Sequence, residues 1–315
     1  MSWPKLPAKA AYLALKNPQR RNALSLAVLR DLKEQLIQYN TSPLDGKLRL
    51  LPPFKPEVLN DLEVATCNDS RATIRTSLCW LTEAKKWCQQ RKGLPNVIVL
   101  RSEGPVFSSG HDLAELRKLS PGEVKETFTL CAEVMQLIRR SPAPVVGVIQ
   151  GLATAAGAQL ALSTDLPIAA AHTHFQLPGA SIGLPCTSPA TAVSRRLAAP
   201  FTYRMLALAE AHRADQLPGG AVEVVANQAA LEARTLDIVT KLAEQSAAQP
   251  QAFGKWAFWT QFGISGSTSA GGSGGDGYED AVEWAGRVMA LHAKSDDAQE
   301  GIASFFEKRE PEWKT

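Results

Sequence analysis

The chain has 315 residues, enough for one large domain or two and for a substantial core. Apolar residues make up 45% of it and charged residues 21%, the balance of an ordinary globular protein, and a formal net charge of +3 is too small to argue for a nucleic-acid partner. No apolar run approaches the roughly 18 residues that a membrane-spanning helix requires, so a helical span is excluded.

Residues 11–15 (Ala-Tyr-Leu-Ala-Leu) read as a first strand, stopped by Pro18. Ser25 is placed to cap a helix through Leu26, Leu29, Leu32 and Leu36. Residues 1–30 hold no acidic side chain and several Lys and Arg, loosely like a transit peptide. Because strand and helix signals start so early, any targeting signal is expected to be very short or already removed. Residues 41–76, with Pro43, Gly46, Pro52, Pro53 and Pro56, show no periodicity and are expected to form a surface excursion. Leu78–Cys88 then reads as one amphipathic helix leading to a strand over Val97–Arg101. Phe107–Leu113 is a small-residue turn into a helix, and Pro121–Arg140 is one long helix with Phe128, Cys131, Met135 and Ile138 on one face.

Val145–Ile149 is a short β-branched run that suits a buried strand. It crosses Gly151 and the small residues 153–157 into a helix through Gln159–Leu162. Such a junction serves either of two ends. It allows tight packing of helix on strand, and it leaves the helix's first amides free to receive a negatively charged oxygen. A strand over Leu166–Ala171 follows, then the segment Phe175–Pro185 and a helical stretch over Pro189–Leu208. Arg195 and Arg196 in that stretch either support packing or stay solvated. Residues 265–277 are a Gly/Ser-rich loop between two C-terminal helices, the second over about 278–293. The five cysteines (Cys67, Cys79, Cys88, Cys131, Cys186) lack metal-site spacing and read as reduced intracellular thiols, with no metal expected.

Four stretches in this order resemble the crotonase (enoyl-CoA hydratase/isomerase) superfamily: Asn17–Ser25, Phe107–Leu113, Gly151–Gln159 and the tail 296–313. The resemblance covers about 240 residues, everything except the two insertions. It implies an α/β fold, the ClpP/crotonase-like spiral of ββα units with a C-terminal helical trimerisation region. The core would occupy 1–220 and the helical region 221–315. It also implies a CoA thioester as ligand with no further cofactor, and a homotrimer or hexamer. In the superfamily two backbone N–H groups form an oxyanion hole for the thioester oxygen; by motif matching these are His111 and Ala156. Phe107 and Ser109 of the same turn, with Phe305 and Lys308 of the tail, match positions that hold the coenzyme.

The hydratases of the superfamily use two glutamates to hold a water and move its protons. The matching positions here are Gln159 and Gly179, and neither side chain titrates. Efficient two-glutamate hydration is therefore not expected. What remains is another thioester reaction at the same hole (isomerisation, decarboxylation or hydrolysis) or non-catalytic acyl-CoA binding that regulates fatty-acid metabolism. Asp112 is expected to cap its turn, Asp165 to be structural and Cys186 to be an inert buried thiol. The Gly-His-Asp-Leu turn paired with a glutamine is similar to the enoyl-CoA hydratase domain-containing protein 3 group, usually assigned to mitochondria; cytosol and peroxisome stay open.

Overall fold

In this computed structural model, residues 3–55, 78–263 and 296–310 are described, with scattered positions in 58–62 and 275–293. Five parallel strands form the main sheet in the order β1-β2-β3-β5-β8. These are Ala10–Leu15 (β1), Val97–Ser102 (β2), Val145–Ile149 (β3), Leu166–Ala170 (β5) and Glu223–Val225 (β8). A second sheet joins Leu152–Thr154 (β4), His174–Gln176 (β6) and Ala211–Arg213 (β7), with β4 parallel and β7 antiparallel to β6. Helices follow most strands: Leu26–Asn40 (α1), Cys79–Thr82 (α2), Ala84–Gln90 (α3), Leu113–Leu116 (α4), Pro121–Arg140 (α5) and Ala156–Ser163 (α6). Further along are Thr187–Val193 (α7), Ala199–Leu208 (α8), Gln228–Glu244 (α9), Ala248–Gly263 (α10) and Asp296–Glu307 (α11).

The central strands are apolar on both faces because both faces are covered. Ile98, Leu100, Val145 and Ile149 point into the main core with α1, α5 and α6. Their neighbours Val97, Val99, Val146 and Val148 point the other way, against Leu231, Ile238 and Val239 of α9. At the β1 edge, side chains of α1 occupy backbone groups that another strand would take. Gln35 Oε1 accepts from the Ala14 amide at 3.2 Å, and Tyr39 donates to the Tyr12 carbonyl at 2.7 Å. The caps follow the sequence signals. Ser25 accepts from the Val28 amide, and Ser120 forms a reciprocal box with Glu123 at the start of α5, with Pro121 in the first turn.

Three expectations are corrected. Residues 78–88 form two short helices rather than one, because Glu83 is extended (φ −108°, ψ 117°) and breaks the ladder. Residues 189–208 are likewise divided. Ala198 is extended (ψ 141°), and Pro200, which lacks an N–H, sits in the first turn of α8. The 41–76 segment is not only a surface excursion. Its described part sends Leu51 and Phe54 into a cluster with Trp80, Leu81, Trp87 and Trp256. Leu51 exchanges hydrogen bonds with Arg140, and the Trp256 indole donates to the Pro53 carbonyl at 3.1 Å. Residues 63–77, most of the Gly/Ser-rich loop and most of 278–293 lie outside the described residues, as does Cys67.

Candidate functional site: two facing turns

The turn after β2 runs beside the turn after β3. The Phe107 amide donates to the Gln150 carbonyl at 3.0 Å and the Ser108 amide to the Leu152 carbonyl at 3.1 Å; the Thr154 amide returns to the Ser108 carbonyl at 3.1 Å. Two glycines permit this approach. At Gly110 (φ +85°) a Cβ would lie 3.0 Å from the Thr154 oxygen and 3.3 Å from the Ala156 nitrogen. At Gly157 it would lie 2.4 Å from the Ser108 carbonyl oxygen. A side chain at either position forces the turns apart. Asp112 caps α4 by accepting from the Glu115 amide at 3.1 Å and pairs with Arg20 at 2.7 Å, as its capping role requires.

His111 follows Gly110, and Ala156 opens α6. Among the described residues neither backbone N–H has an acceptor. A first-position helix amide has no intrahelical partner, and helix N-termini favour anionic oxygens. Ala156 itself is helical, and its side chain is accommodated without strain. The unusual backbone falls one residue earlier, at Ala155 (φ 50°, ψ −123°), a region that favours glycine.

Neither of the two positions where carboxylates would be needed carries one, and the second has no room for it. Gln159 is fully buried, its Nε2 donating to Ser188 Oγ at 3.1 Å and its Oε1 lying 3.2 Å from the same hydroxyl. Gly179 is buried in the turn 178–183, and its amide donates to Cys186 Sγ at 3.3 Å. A Cβ on Gly179 would lie 1.9 Å from the Leu184 carbonyl oxygen and 2.9 Å from that sulfur. Position 179 has no room for any side chain while this turn keeps its shape.

The remaining polar groups near these turns are neutral or committed. The His111 ring lies edge-on to Phe128 at 4.7 Å, with Nδ1 at 3.3 Å from the Leu24 carbonyl. A carbonyl only accepts, so the neutral ring carries its proton on Nδ1. Burial pushes its pKa down to about 4, against a small upward pull from that hydrogen bond. Burial pushes the Cys131 and Cys186 thiols up to about 12, so both are inert near neutrality. Asp165 is structural. It accepts from the Val145 amide at 2.7 Å and from Lys255 Nζ at 2.7 Å, and the same ammonium reaches the Ile138 and Ser141 carbonyls. Arg196 is not solvated, since its guanidinium caps α6 through the Leu162, Thr164 and Asp165 carbonyls.

Of the four positions that the resemblance matched to coenzyme binding, Phe107 is fully enclosed in the main core, while Ser109 keeps partial exposure and donates its amide to the Arg21 carbonyl at 3.0 Å. Phe305 is 57% exposed at the end of α11, against Phe306, and Lys308 follows with φ 55°. α11 lies on the turn that holds Gly179, its Gly301 packed against the Ile182 carbonyl. Ala298 of the same helix joins a buried cluster with Leu116, Phe128 and Leu184. Sequence reasoning missed Ser188 as the partner of Gln159 and Lys255 as the partner of Asp165. Ser188 carries no local signal. Lys255 does, as a lone cation in the apolar run Ala252–Phe258.

The sequence pattern of the family described as Enoyl-CoA hydratase/isomerase matches residues 81–266. The chain is 32% identical to the enoyl-CoA hydratase domain-containing protein 3, mitochondrial, of Mus musculus over 303 residues, 96% of this chain and 80% of that protein. The Danio rerio protein of the same name is also 32% identical, over 96% and 83%. The crystal structure of human enoyl-CoA hydratase domain-containing protein 3 superposes with a TM-score of 0.62 at 29% identity, covering 98% of each chain. The spiral of parallel strands and the facing turns thus have the same explanation as the sequence: the chain belongs to the enoyl-CoA hydratase/isomerase family and has its crotonase fold.

Proposed function

We propose that this protein binds an acyl-CoA thioester and polarises its carbonyl with the amides of His111 and Ala156, without two-glutamate hydration. The observation that carries this reading is Gly179, where the path of a side chain ends on the Leu184 carbonyl oxygen at 1.9 Å. With Gln159 locked to Ser188, no carboxylate can hold and deprotonate a water there. Two preorganised amides still stabilise charge on a thioester oxygen, each worth about 10²–10³ in rate when a reaction develops that charge. Isomerisation, decarboxylation and hydrolysis all have such a step. Phe305, on the helix whose Gly301 packs against the 178–183 turn, and Lys308 just after it would meet the coenzyme. Relatives named as mitochondrial support that compartment, and the exposed Tyr203 and Leu208 of α8 support self-association as a trimer or hexamer.

A second reading, a non-catalytic acyl-CoA binder, is favoured by the neutrality of the site. His111 titrates at about 4 and both nearby thiols at about 12, so none of the three exchanges a proton readily at neutral pH. Calorimetry with acetoacetyl-CoA beside turnover of crotonyl-CoA tests both. Binding without hydration supports the proposal, and turnover of other acyl-CoA thioesters then separates enzyme from binder. Brisk hydration refutes the proposal, and failure to bind any CoA thioester refutes both readings.

A further inference from the structure

Asn22 belongs to the Asn-Ala-Leu element after β1, far in sequence from the two turns, yet it is completely buried beneath the first of them. It adopts a left-handed backbone (φ 52°) and uses every polar group it has. Its Nδ2 donates to the Glu103 carbonyl at 2.8 Å and to the Val106 carbonyl at 2.7 Å; its Oδ1 accepts from the Asn17 amide at 2.9 Å. Its amide donates to the Asn17 carbonyl at 2.8 Å, and its carbonyl accepts from Ser108 Oγ at 2.8 Å. That hydroxyl in turn accepts from the Gly110 amide at 3.2 Å. Two residues on, the Leu24 amide donates to the Gly110 carbonyl at 2.8 Å.

The last two bonds hold both ends of Gly110, and they fix more than that residue. A trans peptide is planar, with its C=O and N–H pointing in opposite directions. With the Gly110 carbonyl turned toward Leu24, the His111 N–H is turned away from residues 17–24. We propose that Asn22 is a positioning residue for the oxyanion hole: through Ser108 and the 103–110 turn it sets the direction of the His111 amide. This rests on the thioester-binding reading above. A donor that points the right way before the ligand arrives needs no reorganisation, which is what makes such a site effective. Asn suits the task because it combines two donors and an acceptor with tolerance of the left-handed region.

The test compares hexanoyl-CoA with S-hexyl-CoA, a thioether without the carbonyl, on full-length wild type, Asn22→Asp and Ser108→Ala. Asn22→Asp keeps the shape and removes both Nδ2 donors; Ser108→Ala cuts the link to Gly110 and serves if the first variant does not fold. The readouts are both affinities by calorimetry and the C=O stretch of bound ¹³C-labelled hexanoyl-CoA. Wild type is expected to prefer the thioester and to lower its carbonyl frequency. The variants lose about tenfold of that preference, the scale of one hydrogen bond, and the frequency returns toward its solution value. Thioether affinity is unchanged. A lowered unfolding midpoint with preference and frequency intact would mean that Asn22 only supports the fold, and overturns the proposal. A wild type that binds both ligands without preference, or neither, instead overturns the thioester reading on which it rests.

Discussion

The neutral imidazole of His111 predicts a specific loss of stability in acid. Its folded pKa is about 4, whereas an unfolded histidine titrates at 6.5. Well above pH 7 both states are neutral, and the imidazole adds no pH dependence. As the pH falls below 6.5 the unfolded chain takes up the proton first, so stability drops until the folded protein titrates near pH 4. The slope approaches 1.4 kcal/mol per pH unit, and the loss over this window is about 3 kcal/mol. That is an upper bound, because the residue keeps partial exposure. Urea unfolding between pH 4 and 7, on wild type and His111→Gln, isolates the imidazole, because neighbouring Asp112, Glu115 and Arg20 are common to both proteins. The wild type is expected to lose stability relative to the variant as acid is added. A difference between them that stays constant across the window would refute a buried neutral ring and reopen His111 as a proton donor.

Other consequences can be measured directly. Gln159→Glu with Gly179→Glu is expected to lower the thermal midpoint without producing crotonyl-CoA hydration, because the 178–183 turn must open to admit the second side chain; efficient hydration by a stably folded double variant would contradict the closed turn. Ala155→Gly is expected to stabilise by up to about 2 kcal/mol, the relief of a glycine-type conformation less the entropy glycine gives up; a fall in the urea midpoint would count against strain there. Lys255→Met leaves Asp165 without its ammonium and is expected to cost about 3–5 kcal/mol, read by denaturant unfolding.

Local signals in this sequence were sufficient where the deciding partners lie close along the chain. The long helix 121–140 shows an apolar face of 3.6-residue period, and β3 shows a short β-branched run, so both were legible with their boundaries. Ser25 and Asp112 reach amides three residues away, and their capping roles were equally plain. Pro200 was a local signal of the break before α8 and was outweighed by the apolar run around it. The rest depends on distant groups. Phe54 in a proline-rich segment looked like surface because its partner Trp256 comes some 200 residues later. Gly179 read as the absence of a glutamate; only the fold reveals a Leu184 oxygen where the side chain would be.

The crossover from β1 to β2 carries the whole 41–76 segment between partners Ala10 and Val97. Closing a loop costs entropy that grows only with the logarithm of its length, about 0.6 kcal/mol for each doubling. A stretch of some 36 residues added to this connection therefore raises the cost of bringing the two strands together by less than that. Fully burying one leucine or phenylalanine gives back about 1.5–3 kcal/mol, and the segment buries both Leu51 and Phe54. The long parallel crossover is thus a place where this chain could lengthen at almost no expense to assembly of its sheet, provided the added residues brought anchors of their own.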